Sequence, residues 1–272
     1  MYAVRILVGL LIAYLVLLGL AWAFQDRLAF PAPRDTPPDP VQVRPLQVDQ
    51  ISLSLHDHTP LLAWYFHPAA PAPRPSTMLW FYGNGETIAA IWPVVRDFQP
   101  PGTAVLVVDY PGYGASGGRT TETGLYEAAD SAYAWLGAHG GEGARRLFVY
   151  GRSLGTAVAT HVAVTHPVAG LILESPFTSA REMMHRHYAL FPSFILRLRL
   201  DNLGTIPRVH CPVLVFHGTA DRLVPPDMGR RVAQAAPPGA ELVLIEGAGH
   251  NETYDAGGRR YRDKLWDFVT HH

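Results

Sequence analysis

Cysteine and lysine are nearly missing from this 272-residue chain, with Cys211 and Lys264 the sole examples of each. One cysteine excludes an intrachain disulfide and a cysteine-built metal site. Its place before Pro212, at the start of an apolar run, reads as a buried structural thiol. Charge is sparse as well: charged residues make up 17% of the chain, the net charge is -1, and no basic cluster is longer than a pair. That removes the electrostatic footprint on which nucleic-acid binding depends. No repeat of fixed period is visible. What the chain has in quantity is apolar surface, 48% of residues, which supplies an ample core for one large domain or two small ones and excludes disorder over most of the length.

Residues 6–24 carry no charge, and at about 1.5 Å per residue they match the thickness of a hydrocarbon core. Two readings compete. Arg5 with Ala21-Trp22-Ala23 resembles a signal peptide and its cleavage site. The length of the run, with Trp22 and Phe24 as interfacial aromatics, favours a retained single-pass anchor over residues 1–24. Arg5 lies on one side and Arg27 and Arg34 on the other, so the positive-inside count does not decide orientation; an extracytoplasmic body is the working expectation. Residues 25–41 hold five prolines (31, 33, 37, 38 and 40) and read as an extended linker of up to roughly 50 Å, able to let the body hug the membrane or stand clear of it.

From residue 42 onward short apolar runs alternate with helical patterns. Residues 43–55 and 61–66 read as an antiparallel hairpin. Strands at 78–82, 104–110, 147–150, 171–174, 213–216 and 241–245 are interleaved with helices at 86–98, 125–138, 154–166, within 181–200, at 228–236 and at 258–270, with Pro93 a kink or break in the first. This alternation predicts an α/β fold with a mostly parallel eight-stranded sheet covered on both faces.

The run Phe148-Val149-Tyr150-Gly151-Arg152-Ser153-Leu154-Gly155 is an apolar strand followed by a glycine-framed serine. It fits the nucleophile elbow, a strained strand-to-helix turn that exposes a serine hydroxyl. In open α/β sheets functional groups collect at the carboxyl ends of strands. Those ends carry Ser153, then Asp221, then His250, each after a different strand and in an order that suits a nucleophile, an orienting acid and a general base. Glu174 is a second candidate for the acid. His217 reads as a strand-end structural residue, and His161, His166, His185, His187 and His210 lack carboxylate or cysteine neighbours at metal-ligand spacing, so neither a metal nor any other cofactor is expected. Backbone N–H groups of Leu154 and Asn84 are the candidate oxyanion donors.

Several blocks in order resemble the α/β-hydrolase superfamily, and within it the Bem46-like and ABHD13- and ABHD17-like membrane-anchored serine hydrolases. They are Phe24-Gln25-Asp26-Arg27-Leu28, Gly83-Asn84, Asp109-Tyr110-Pro111-Gly112-Tyr113-Gly114, Gly151-Arg152-Ser153-Leu154-Gly155, Glu174-Ser175-Pro176-Phe177, His217-Gly218-Thr219-Ala220-Asp221 and Gly249-His250-Asn251. Two positions depart from the family pattern: Tyr82 replaces the usual histidine before Gly-Asn, and Pro111 stands where arginine is common. Both bear on how the oxyanion loop is held.

The resemblance implies a short cap over residues 178–212. Its apolar side chains divide between those packing on the sheet and those lining an acyl pocket, for which Met184, Tyr188 and Phe191 are the candidates. The expected function is a membrane-anchored hydrolase that cleaves esters or thioesters of lipid-like or acylated substrates through an acyl-enzyme, with no diffusible cofactor and no nucleic-acid partner. The alternatives are a serine aminopeptidase-like peptidase, which needs a site for a free amine, and a catalytically silent anchored scaffold.

Overall fold

Apolar runs bounded by turn residues become eight strands in the computed structural model, which describes residues 1–188 and 190–272. They are β1 Val48–Ser54, β2 Pro60–Phe66, β3 Ser76–Phe81, β4 Thr103–Val108, β5 Leu147–Arg152, β6 Gly170–Glu174, β7 Val213–Gly218 and β8 Glu241–Ile245. One sheet joins them in the order β1-β2-β4-β3-β5-β6-β7-β8. β1–β2 and β2–β4 pair antiparallel; the remaining pairs are parallel. Every residue of β3 through β7 is buried, as a sheet covered on both faces requires and as unbroken apolar runs foretell.

The helices are α1 Tyr2–Ala29, α2 Ile88–Phe98, α3 Glu122–His139, α4 Leu154–Thr165, α5 Ala180–His187, α6 Asn202–Thr205, α7 Pro226–Ala235 and α8 Thr253–His271. Strand alternation on β5 shows how they divide. Tyr150 meets Tyr261 of α8, while a side chain at neighbouring Gly151 would collide with Gly155 and Ala159 of α4. Thus α8, with α2 packed on it through Phe98, covers one face, and α3, α4, α6 and α7 cover the other. Pro93 does not break α2; Ala89, whose carbonyl loses its donor, is a partly exposed residue. α8 begins earlier than residue 258 and turns at Gly258, whose φ of 49° only glycine adopts freely.

The N-terminal segment departs most from expectation. α1 continues through residue 24 to Ala29, and the proline-rich stretch lies against the strand-end loops instead of standing clear. Phe30 is buried, Asn84 Nδ2 donates to the Ala29 carbonyl at 2.7 Å, Gly114 N–H donates to Pro33 O at 2.8 Å and Arg34 donates to Ser116 O at 2.8 Å. Of the expected linker, residues 25–29 belong to α1 and a 3-10 turn starts at Pro40; residues 31–39 between them form no helix or strand, and their carbonyls are free to pair with loops. α1 has a mean hydropathy of 2.6 over its most apolar window and is long and apolar enough to cross a membrane.

Candidate active site

The site is built where β5 gives way to α4. Ser153 has φ 48° and ψ -113°, a conformation that costs a non-glycine residue about 1–3 kcal/mol. Close packing enforces it. A Cβ on Gly155 would sit 2.2 Å from Phe81 O, and one on Gly151 would sit 2.3 Å from Gly155 O, so the start of α4 is pressed onto the ends of β3 and β5. Ser153 N–H is fixed by Glu174 O at 2.9 Å.

Three strand ends converge here. Ser153 Oγ is 2.9 Å from His250 Nε2, and His250 Nδ1 is 2.7 Å from Asp221 Oδ2. The carboxylate next to Nδ1 fixes the tautomer, so Nδ1–H donates to Asp221 and Nε2 is free to accept from the serine hydroxyl. Asp221 does two things at once: Oδ1 accepts from the N–H groups of Leu223 (3.0 Å) and Val224 (2.8 Å), and Oδ2 takes the imidazole. Burial alone would raise its pKa, but hydrogen bonds from His217 and His250 hold it well below the usual carboxylate range. His217 is buried; its Nε2–H donates to Val224 O at 2.8 Å and lies 3.4 Å from Asp221 Oδ2, bracing the acid's loop. Gly229 makes room for it, since a Cβ there would fall 2.2 Å from His217 Nδ1.

Glu174, the other candidate acid, lies elsewhere. It is buried and accepts from the hydroxyls of Tyr150, Tyr261 and Thr253. Burial raises the pKa of Tyr150 and Tyr261 far above the ordinary phenol range, so both stay donors.

The predicted oxyanion residues flank the serine. A Cβ on Gly83 would be 3.5 Å from Ser153 Cβ, and among the described residues neither Asn84 N–H nor Leu154 N–H has a protein acceptor. The Asn84 side chain is held from two sides, donating to Ala29 O and accepting from Tyr113 Oη at 2.5 Å. Tyr82, the departure from the family pattern, braces the same strand end. Its hydroxyl donates to Asp109 Oδ1 at 3.0 Å and accepts from Tyr110 N–H, while Tyr110 Oη donates to Tyr82 O at 2.9 Å.

Of the predicted acyl-pocket residues, Met184 is half-buried on α5, Phe191 is half-buried beyond it, and Tyr188 is exposed. The surface cavities beside the cap are lined by Glu122, Tyr126 and Arg199 with their neighbours and contain none of the three. His161 and His166 do have a carboxylate partner: folding brings Asp130 of α3 within 3.2 and 2.9 Å of their Nε2 atoms, a proximity that spacing along the chain does not show.

Sequence reasoning passed over Arg152, the variable position of the elbow motif. Its side chain is buried and links the loop after β3, the end of β6 and the histidine loop. It donates to Glu86, whose other oxygen accepts Gly83 N–H of the oxyanion loop at 2.6 Å. It also donates to His250 O (3.3 Å) and Asn251 Oδ1 (2.8 Å), lies 3.3 Å from Glu174 and packs 5.4 Å from the Tyr254 ring. Burial disfavours its charge, but Glu174 and Glu86 hold it firmly protonated. The available signal was an arginine at the end of an otherwise apolar core strand, which requires buried counter-charges.

Known proteins resemble this chain in sequence and in fold. A family profile described as serine aminopeptidase, S33, matches residues 73–206, which include the oxyanion loop and elbow. Human alpha/beta hydrolase domain-containing protein 17B is 34% identical over 171 residues, covering 61% of this chain and 56% of that protein. Mycobacterium tuberculosis Rv2307c, an uncharacterised protein, is 34% identical over 252 residues, 92% of this chain and 88% of its own. The chain belongs to the α/β-hydrolase superfamily. Among solved structures, this hydrolase shares its fold with the Pyrococcus furiosus esterase Pf2001, at a TM-score of 0.73 with 19% identity over 88% of this chain and 98% of that one.

Proposed function

We propose that this hydrolase is a membrane-anchored serine esterase or thioesterase acting on lipid-like or acylated substrates, with Ser153 as nucleophile, His250 as general base and acid and Asp221 as the orienting acid. The observation that carries the reading is the continuous relay from Ser153 Oγ through His250 to Asp221, at 2.9 and 2.7 Å, on a serine with positive φ.

Ser153 Oγ attacks the acyl carbonyl carbon as His250 Nε2 takes its proton. The carbonyl oxygen becomes an oxyanion facing Leu154 and Asn84 N–H, one such donor contributing about 3–4 kcal/mol. His250 then returns the proton to the departing alcohol or thiol, leaving an acyl-serine. Water repeats the sequence: His250 removes its proton, the acid forms, and the proton goes back to Ser153 Oγ. Asp221 stays ionised throughout and stabilises the imidazolium.

The apolar α1 supports an anchored protein, and we place the body on the extracytoplasmic side. A peptidase is the second reading, favoured by the description of the matching family. It needs a carboxylate for the substrate's free amine. The nearby acids are committed: Glu86 to Arg152 and Gly83, Glu174 to three hydroxyls, and Glu252 to Gly249 N–H. A series of p-nitrophenyl esters of rising chain length, run beside aminoacyl-arylamides on wild type and Ser153→Ala, separates the two. Ester cleavage lost in the variant is expected; cleavage of the amides alone contradicts the proposal.

A further inference from the structure

We propose that the outer cap is itself a membrane-inserted element, seated beside α1 in the acyl-chain region of a phospholipid bilayer, so that substrate chains reach Ser153 sideways from the lipid. This rests on the reading of α1 as a membrane anchor.

Residues 188–196 contain no charge, and three of their large side chains face outward: Tyr188 is 61% exposed, Leu190 79% and Phe194 81%. Side chains of that size standing together on an outer surface mark an interaction site. The partner is indicated by what the segment lies against. Tyr14 Oη of α1 donates to Leu190 O at 2.7 Å. Gln25, buried in this contact, donates to Ile195 O at 3.4 Å and accepts from Arg197 N–H at 2.6 Å. The cap therefore runs along α1 from the level of Gln25 to that of Tyr14, about 16 Å of helix. Tyr14 lies roughly ten residues before Phe24, about 15 Å along the axis, and a hydrocarbon core is ~30 Å thick. If α1 spans a bilayer, the Leu190 contact is near mid-core depth.

Unsatisfied polar groups in lipid are costly, and part of the segment's backbone is paired within the protein. Phe191, Ile195 and Leu196 donate their N–H groups to Tyr188, Pro192 and Ser193 carbonyls, Pro192 has no N–H, and Tyr14 and Gln25 serve Leu190, Ile195 and Arg197. The flanks are basic, with His187 before and Arg197 after. Arg197 sits 5.1 Å from the ring of Trp22 and 3.3 Å from Asp26, a pairing suited to the headgroup level, where tryptophan and arginine concentrate. At the inner end, His187 donates to Leu223 O at 2.9 Å, two residues from Asp221. The inserted surface thus adjoins the reaction centre.

The test uses the full chain in phosphatidylcholine–phosphatidylglycerol vesicles, on a Cys211→Ser background, with an environment-sensitive fluorophore attached in turn through Leu190→Cys, Phe194→Cys, Leu17→Cys and Glu142→Cys. Quenching by phosphatidylcholine carrying a mid-chain nitroxide is compared with quenching by aqueous iodide. Positions 190 and 194 are expected to lose emission to the lipid quencher in the same proportion as position 17 and to resist iodide, while exposed position 142 shows the reverse. Lipid quenching at 17 with iodide quenching at 190 and 194 overturns the cap insertion and leaves the anchor standing. Shielding of 190 and 194 from both quenchers, as a second copy covering the cap would produce, also overturns it. Iodide quenching at 17 overturns the anchor and the insertion together.

Discussion

Ser153, Asp221 and His250 sit among buried side chains whose polar atoms are mostly shared between named partners, whereas Tyr188, Leu190 and Phe194 on the cap present apolar surface outward. The first region is assembled from separated stretches of chain and held by Arg152, which bridges the Gly83–Glu86 loop, the elbow and the histidine loop. The second is one continuous stretch held to the body at its base and to α1 along its side. Chemistry demands fixed distances, and these come from charge pairs on a rigid sheet. If the cap meets acyl chains as proposed, apolar area with little direction suffices, and a short loop provides it.

The largest effect should separate the two carboxylates. Asp221→Asn is expected to lower kcat for a p-nitrophenyl ester by about 10⁴ because the imidazole loses its tautomer and its partner. Glu174→Gln should leave kcat within about tenfold, yet lower unfolding stability by a few kcal/mol through weakened bonds to three hydroxyls. If the two variants exchange behaviour, Glu174 is the orienting acid.

Arg152→Met comes next. Removing one member of a buried charge network typically costs about 3–5 kcal/mol, readable by denaturant unfolding. Loosening Gly83 and His250 together should cost up to about a hundredfold in kcat/KM. Arg152→Lys keeps the charge but not the planar fork, so it should recover stability more than rate. Recovery of both in equal measure contradicts the bridging role.

Tyr82→Phe should have a smaller effect. It leaves Asp109 Oδ1 with only the Ile88 N–H, at 2.8 Å, and removes the acceptor for Tyr110 N–H, for a loss of about 1–3 kcal/mol in urea unfolding. An unchanged midpoint shows that Tyr82 does not brace the strand end.

The smallest effect is in pH. Burial pushes Asp109 up to about 6, against the pull of the Ile88 and Tyr82 hydrogen bonds. An unfolded aspartate titrates near 3.9, so between about pH 4 and 6 the native chain holds a proton that the unfolded chain has released. Its contribution to stability therefore falls as pH rises through that window and levels off above it. Wild type minus Asp109→Asn, measured by denaturation across the window, should show that slope; a flat difference contradicts it.

The sequence displayed the sheet, the helices and the order Ser153, Asp221, His250, because apolar periodicity and turn residues are local signals. It did not display Arg152 as a bridge, since its partners Glu86 and Asn251 stand 66 and 99 residues away and pattern reports faces, not which polar atoms meet. For the same reason the hydroxyls of Tyr150, Thr253 and Tyr261 around Glu174 are not visible in the sequence. The proline-rich stretch was read for its stiffness alone, and its docking through Pro33 O and Ala29 O depends on loops more than 50 residues distant. The cap's apolar residues were visible, but their outward orientation is a tertiary fact.

The proposed reaction depends first on Ser153 being an activated nucleophile. Incubation of the folded full-length protein with a fluorophosphonate, followed by intact-mass and peptide analysis, tests that directly. A single adduct on Ser153 is expected, absent in Ser153→Ala and strongly slowed in Asp221→Asn. A wild-type protein that is folded and takes up no adduct, or takes it up elsewhere, contradicts it.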